Sequence, residues 1–280
     1  MQQIIIQGGE YSPLLVQEIS RGLNSSAQIG NRFAVIDSTE PVSHADLETL
    51  RARYATDINI LPAPFNPTQT KLLITDMDST FINIECIDEI ADFAGVKAQV
   101  SAITEAAMRG ELDFAGSLTK RVALLKDLDV SALERVYNER LQLNPGAETM
   151  LKSLRQRGIK IALVSGGFTF FTSRLDARVK LDFTLANELE VVANKLTGKV
   201  RGEIVGAERK AQFLSQLAQE LQVNLNQTVA MGDGANDLKM MALAGLSVAY
   251  HAKPKVQSQA ATALNHCGLE GVLGLLQIDF

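Results

Sequence analysis

Two cysteines in 280 residues, Cys86 and Cys267, are too few for a disulfide framework. Both are read as reduced thiols in or near the core. Basic charge is also scarce, with 27 Lys and Arg against 32 Asp and Glu, a net charge of -5 and a pI near 5.4. The basic residues are scattered, which leaves no footprint for nucleic acid and no patch for an anionic membrane. No apolar run is long enough to span a bilayer. The start, Met1-Gln2-Gln3 and then three isoleucines, lacks the basic region and long apolar core of a secretory signal. A cytoplasmic protein is expected. Two of the three histidines, His251 and His266, follow the last predicted strand, and neither has metal-ligand spacing to another histidine or cysteine. Neither is assigned a role.

What is present is an α/β alternation behind a short leader. Pro62, Pro64 and Pro67 crowd the stretch from Leu61 to Thr70, which reads as a linker because proline fixes its own φ and extends the residue before it. The domain boundary is placed there, at 1–66 and 67–280. The leader offers strands at Ile4–Ile6 and Phe33–Ile36 and helical patterns at Leu14–Leu23 and His44–Tyr54, a small α+β segment without a cluster of chemical residues. After the linker, the strand Leu72–Ile74 runs into Asp76. From Glu85 to Asn144 there is no proline, and the pattern predicts about four short helices, with stops at Gly95 and Gly110 and a capping box at Ser131 and Glu134. Pro145 suits a helix's first turn and Gly158 its end. Strands are predicted at Ile159–Val164, Thr228–Met231 and Leu246–Tyr250. An inserted hairpin is predicted within 183–204, turning at Asn194 to Gly198. Such alternation implies a parallel sheet with helices on both faces, and ligands bind beyond the carboxyl ends of its strands.

Three motifs stand at those ends, and a fourth, the single residue Lys210, on a helix. Asp76-Met-Asp-Ser-Thr80 can bring Asp76 and Asp78 to one side as the strand finishes. It is not a calcium loop, because Phe81 and Ile87 occupy the positions where Gly and Glu are needed. Ser165-Gly166-Gly167 can turn backbone N–H groups towards an anion, with the next helix's dipole in support. Lys210 sits near a helix start, where a lone lysine is ordinarily a solvated charge. Gly232-Asp-Gly-Ala-Asn-Asp237 supplies two carboxylates and an amide on a tight loop.

In this order the four motifs resemble those of the haloacid dehalogenase superfamily, from Lys71 to the C-terminus. The details at Asn83–Glu89, Lys120-Arg121-Val122, Val164–Phe168 and His251–Pro254 are similar to its phosphoserine phosphatases. The resemblance implies a Rossmann-like parallel sheet, a helical cap inserted at about 87–142, and magnesium-dependent hydrolysis of O-phosphoserine, the last step of serine biosynthesis. Asp76 would be the nucleophile, Asp78 the general acid and base, and Lys210 a phosphoryl-charge partner together with Ser165 and Gly166. Mg²⁺ would be held by Asp76, the Asp78 carbonyl and Asp233, hard oxygen ligands. Glu85 would take the substrate ammonium and Arg121 its carboxylate in a two-pronged contact. Met108 and Phe114 would close over the ligand, Asn236 would meet the phosphoryl end, and Thr80 and Asp237 would support the site. By spacing alone, Arg121 is a helix-surface charge and Met108 and Phe114 ordinary packing.

Regulatory ACT domains are β-α-β-β-α-β, and residues 1–66 fall short of that count. The leader is read as a reduced ACT-like module, a dimerisation element or a tether, dispensable for chemistry. A homodimer stays open. Three rival functions remain: phosphotransfer to another alcohol, a non-catalytic amino-acid sensor, and a broad sugar-phosphate phosphatase.

Overall fold

The computed structural model describes residues 2–108 and 111–280, with the backbone alone of His44. The chain opens with β1 (Gln2–Gln7), α1 (Pro13–Gly22), β2 (Ser26–Ile29), β3 (Phe33–Ser38), α2 (His44–Arg53) and β4 (Asp57–Ile60). They build an antiparallel sheet in the order β2-β3-β1-β4. The leader therefore has all six elements of the βαββαβ pattern, which corrects the shorter count. The two overlooked strands alternate over only four residues each: β2 is a mostly exposed Ser-Ala-Gln-Ile, and in β4 the polar Asp57 and Asn59 are buried.

The isoleucine run of β1 has a tertiary reason. Ile4 and Ile6 pack on Val16, Ile19 and Leu47 of the two helices. Ile5 points the other way, with Phe33 and Val35, into a core continuous with the rest of the molecule. A strand covered on both faces is apolar at every position. The proline-rich stretch is itself packed, since Leu61 and Phe65 are buried in that same shared core.

After it come β5 (Leu72–Thr75), then α3 (Cys86–Phe93), α4 (Lys97–Met108), α5 (Phe114–Ala123) and α6 (Ser131–Arg135). There follow α7 (Ala147–Gln156), β6 (Lys160–Phe168), α8 (Thr169–Val179), β7 (Phe183–Val192), β8 (Lys195–Arg201) and α9 (Ala207–Glu220). The chain ends with β9 (Thr228–Gly232), α10 (Leu238–Leu243), β10 (Leu246–Tyr250), α11 (Pro254–Gln257), β11 (Thr262–Leu264) and α12 (Gly271–Leu275). The sheet order is β11-β10-β9-β5-β6-β7-β8, parallel except for β7 with β8. Side chains alternate across it. Leu73, Leu163 and Met231 meet α7, α8 and α12 on one face, while Leu72, Ile74, Val164 and Ala230 meet α9, α10 and α11 on the other. Helices on both faces are thus accounted for residue by residue.

Several local expectations shift. The first turn of α6 is capped by Asp129, whose Oδ1 accepts the Ser131 N–H at 2.9 Å, so Ser131 and Glu134 form no capping box. Pro145 precedes the N-cap Gly146 and lies outside the helix. Gly95 and Gly158 do end α3 and α7 in left-handed conformation, φ +69° and +68°. Gly110 lies outside the described residues. The β7–β8 reversal is at Ala193 and Asn194, both with positive φ, and Lys195 to Gly198 already belong to β8. Because β7 also pairs with β6, the hairpin is the edge of the main sheet and no insertion.

Candidate active site

The strand order reverses at β5, with β6 and β7 to one side and β9, β10 and β11 to the other. A crevice opens beyond the strand ends at such a point. Asp76 lies there, its N–H donating to the Met231 carbonyl at 2.9 Å and so carrying the β5–β9 pairing one residue further. The chain then turns sharply at Ser79, φ +55°, a left-handed conformation held by its surroundings. The Ser79 hydroxyl donates to Glu85 at 2.7 Å. Within the turn the Asp78 carboxylate accepts the Cys86 N–H at 2.8 Å and the Ser165 hydroxyl at 3.1 Å. A side chain at Gly167 would place its Cβ 2.5 Å from Asp78 Oδ2, so only glycine fits. The Gly167 N–H, offered by the sequence to an anion, instead donates to Ser165 Oγ at 2.7 Å.

Lys210 is no surface charge. It is fully buried, and its ammonium donates to Asp76 Oδ1 at 2.5 Å and to Asp237 Oδ1 at 2.7 Å. Burial works against that charge, but Asp237 and Asp76 outweigh it and raise its pKa. Asp237 is also anchored by the Gly234 N–H at 3.1 Å.

Carboxylate oxygens of Asp76, Asp233 and Asp237 come within 4.8 Å of one another. Burial, then the charge of Asp237, pushes the Asp76 carboxyl well above the ordinary range, with Lys210 pulling back. The same two causes lift Asp233 to about 6, against a hydrogen bond from the Thr80 hydroxyl at 3.2 Å. One ammonium does not neutralise this cluster, and close hard-oxygen anions fit a divalent cation. The residues present satisfy the chemistry of such a site.

Above the cluster lies a cleft of about 1040 Å³ lined by Asp76, Asp78, Glu85, Met108, Phe114, Arg121, Gly166, Asp233 and Asn236. Ser165, Lys210, Asp237 and Thr80 are buried beneath it. Glu85 is exposed to the cleft, yet desolvation by the cleft walls and then the charge of Asp78 push its pKa up to about 8. The Arg121 Nε is buried without a hydrogen-bond partner. Burial lowers the guanidinium's pKa, with Asp88, Glu85 and Asp78 opposing. Met108 is 65% exposed, at the mouth of the cleft.

Sequence reading missed Asp88, whose charge bears on Arg121, and Thr104, Leu112 and Lys253 on the cleft wall. Thr104 stands one turn before Met108 on α4, so the four-residue helical spacing could have found it. Asp88 sits on the acidic first turn of α3, where a carboxylate needs no partner to explain it.

Comparison with known proteins bears on the same region. The haloacid dehalogenase-like hydrolase family matches residues 70–245. A phosphoserine phosphatase of Polaromonas sp. (strain JS666) is 49% identical over 225 residues, 79% of this chain and 95% of that protein. The unliganded structure of a probable phosphoserine phosphatase from Vibrio cholerae matches with a TM-score of 0.84 and 41% identity, covering 99% of this chain and 86% of that one. A phospho-aspartyl intermediate analogue of a phosphoserine phosphatase matches with a TM-score of 0.69 and 42% identity, covering 75% of this chain and 99% of the other.

Proposed function

The chain belongs to the haloacid dehalogenase-like hydrolases and, within them, to the phosphoserine phosphatases, and we propose that it hydrolyses O-phospho-L-serine to serine and phosphate through an aspartyl phosphate on Asp76. The observation that carries this reading is the buried contact of Lys210 with Asp76 at the strand switch point, opening into a cleft that holds Glu85 and Arg121.

Asp76 attacks phosphorus with a carboxylate oxygen and needs no base to activate it. Lys210 holds that carboxylate and offsets charge gathering on the phosphoryl oxygens, and Ser165, Gly166 and Asn236 complete the cradle. Asp78, protonated more readily because it is buried, gives its proton to the departing serine oxygen. It then takes one from the water that cleaves the aspartyl phosphate. Mg²⁺ held by Asp76, Asp233 and the Asp78 carbonyl would screen the repulsion between nucleophile and phosphate. Asp237 fixes Lys210, and Thr80 orients Asp233.

At the far end, Glu85 pairs with the substrate ammonium and the unpartnered Arg121 Nε with its carboxylate. Phe114 and Met108 lie on the cap side. We keep 67–280 as the catalytic domain, with the cap at about 87–142 and 1–66 as an ACT-like module packed on it. The test is phosphate release across phosphorylated metabolites with and without Mg²⁺. Phosphoserine should lead the panel and chelation should abolish turnover. Asp76→Asn should be folded and inactive, and an active, non-deamidated Asn variant would end the reading.

A further inference from the structure

Asn187 lies on β7, 1% exposed, opposite Phe168 where the β6–β7 register shifts. Its amide is used at both ends. The Nδ2 donates to the Gly166 carbonyl at 2.8 Å, and the Oδ1 accepts the Val205 N–H at 2.8 Å. One partner is the middle residue of the Ser165–Gly167 strand end. The other directly precedes Gly206, the N-cap of α9, which carries Lys210. Gly206 in turn accepts the Lys210 N–H through its carbonyl at 3.0 Å.

The same two segments share a contact above. A Cβ on Gly166 would stand 2.7 Å from the Phe114 ring, and one on Gly206 3.4 Å from it. Phe114 of the cap therefore rests across both glycines, and the Asn187 side chain links Gly166 to Val205, the residue before Gly206. No other described hydrogen bond joins these two segments directly.

We propose that Asn187 is a positioning residue that sets the spacing between the Ser165–Gly167 strand end and the helix bearing Lys210, and through it the seat of Phe114. The proposal rests on the phosphatase reading of this site. An amide is required because one end must donate and the other accept. A carboxylate in its place would keep the Val205 contact and turn an acceptor on the Gly166 carbonyl. A misplacement of about 1 Å between groups that grip one phosphoryl unit costs roughly 100-fold in rate.

The test compares Asn187→Asp, Asn187→Ser and Asn187→Ala with the full-length wild type, on folded monodisperse protein. Three readouts are taken: kinetics on phosphoserine, kinetics on p-nitrophenyl phosphate, and calorimetric affinity for inorganic phosphate. Because both substrates share only the phosphoryl end, kcat should fall about 10- to 100-fold for both by the same factor, and phosphate should bind more weakly. A merely structural role would lower the melting temperature and leave kcat per folded molecule and phosphate affinity unchanged, which overturns the proposal. A loss confined to phosphoserine also overturns it, since that places Asn187 with the amino-acid end. If none of the three variants folds, the residue is a fold determinant and the positioning role is lost. A wild type that binds phosphate but hydrolyses neither substrate refutes the phosphatase reading, while the phosphate-affinity comparison still decides the spacing claim.

Discussion

A guanidinium whose Nε is buried without a partner, as in Arg121, is held ready for an anion that arrives from outside. Removing it should leave a substrate carboxylate desolvated and unpaired, a loss of roughly 2–5 kcal/mol in such settings. Arg121→Ala should therefore lower kcat/KM for phosphoserine by about 30- to 5,000-fold and barely alter p-nitrophenyl phosphate, which lacks the carboxylate. Equal losses on both would return Arg121 to the general scaffold. Lysine should rescue only in part, because an ammonium cannot reproduce the fork. Glu85 adds a pH signature. With its pKa near 8 in the free protein, the ionised form that pairs with the ammonium grows as pH rises, so kcat/KM for phosphoserine should climb through about pH 8. Glu85→Gln should flatten that limb. The stability sign is opposite. A folded pKa above the ordinary 4.5 means that the folded state holds the proton more firmly, so this contribution is full below 4.5 and lost as pH rises through about 8. Glu85→Gln should melt higher than wild type at pH 8 and no higher at pH 4, as thermal scans at the two values would show.

One element that joins the leader to the rest is β4, beside the core contacts of β1 and β3. The buried Asp57 carboxylate accepts the N–H groups of Asn265, His266 and Cys267 at 2.7 to 3.2 Å. The Asn59 amide exchanges two bonds with the backbone of Ala263 on edge strand β11, at 2.9 and 2.8 Å. That side chain serves the edge as a neighbouring strand would. Arg51 steadies Asn59 Oδ1 from α2 at 2.8 Å. Asp57→Ala should strand three N–H groups and cost about 3 kcal/mol, read as a lower urea midpoint with an unchanged slope. The kcat per folded molecule should hold, since no catalytic group moves. Wild-type stability in this variant would show that the contact is idle.

At the scale of the molecule, the leader and the catalytic body share one hydrophobic core, through Ile5, Phe33, Val35, Leu61 and Phe65. A chain beginning at Thr68 retains every proposed catalytic residue and loses that cover. Exposing body surface equivalent to about three of these five side chains, at roughly 1.5–3 kcal/mol each, costs about 4.5–9 kcal/mol, or roughly 10–35 °C of melting temperature for this size. The expected outcome is a markedly less stable protein whose folded fraction still turns over. A truncated chain as stable as the whole would show that the shared core contributes little. Among the described residues no helix is long and apolar enough to cross a membrane.

Some of this was present in the linear order of residues. Strands buried on both faces are continuous apolar runs whatever packs on them, so β5, β6, β9 and β10 were legible, and with the first three the strand-end placement of Asp76, Ser165 and Asp233. Motif order carried the superfamily, because each motif is a short local signal in the chain. What the sequence did not contain was the identity of partners far apart in the chain. Lys210 reads as a solvated helix charge until α9 packs on the sheet and buries its ammonium between Asp76 and Asp237, 134 and 27 residues away. The strands β2 and β4 alternate over only four residues each, too short to stand out, and one is exposed while the other spends its polar side chains on the body. Asn187 is an ordinary strand residue by pattern, and only the approach of Gly166 and Val205 gives its amide two things to hold. Local pattern records which face a residue shows, and the tertiary structure decides what that face meets.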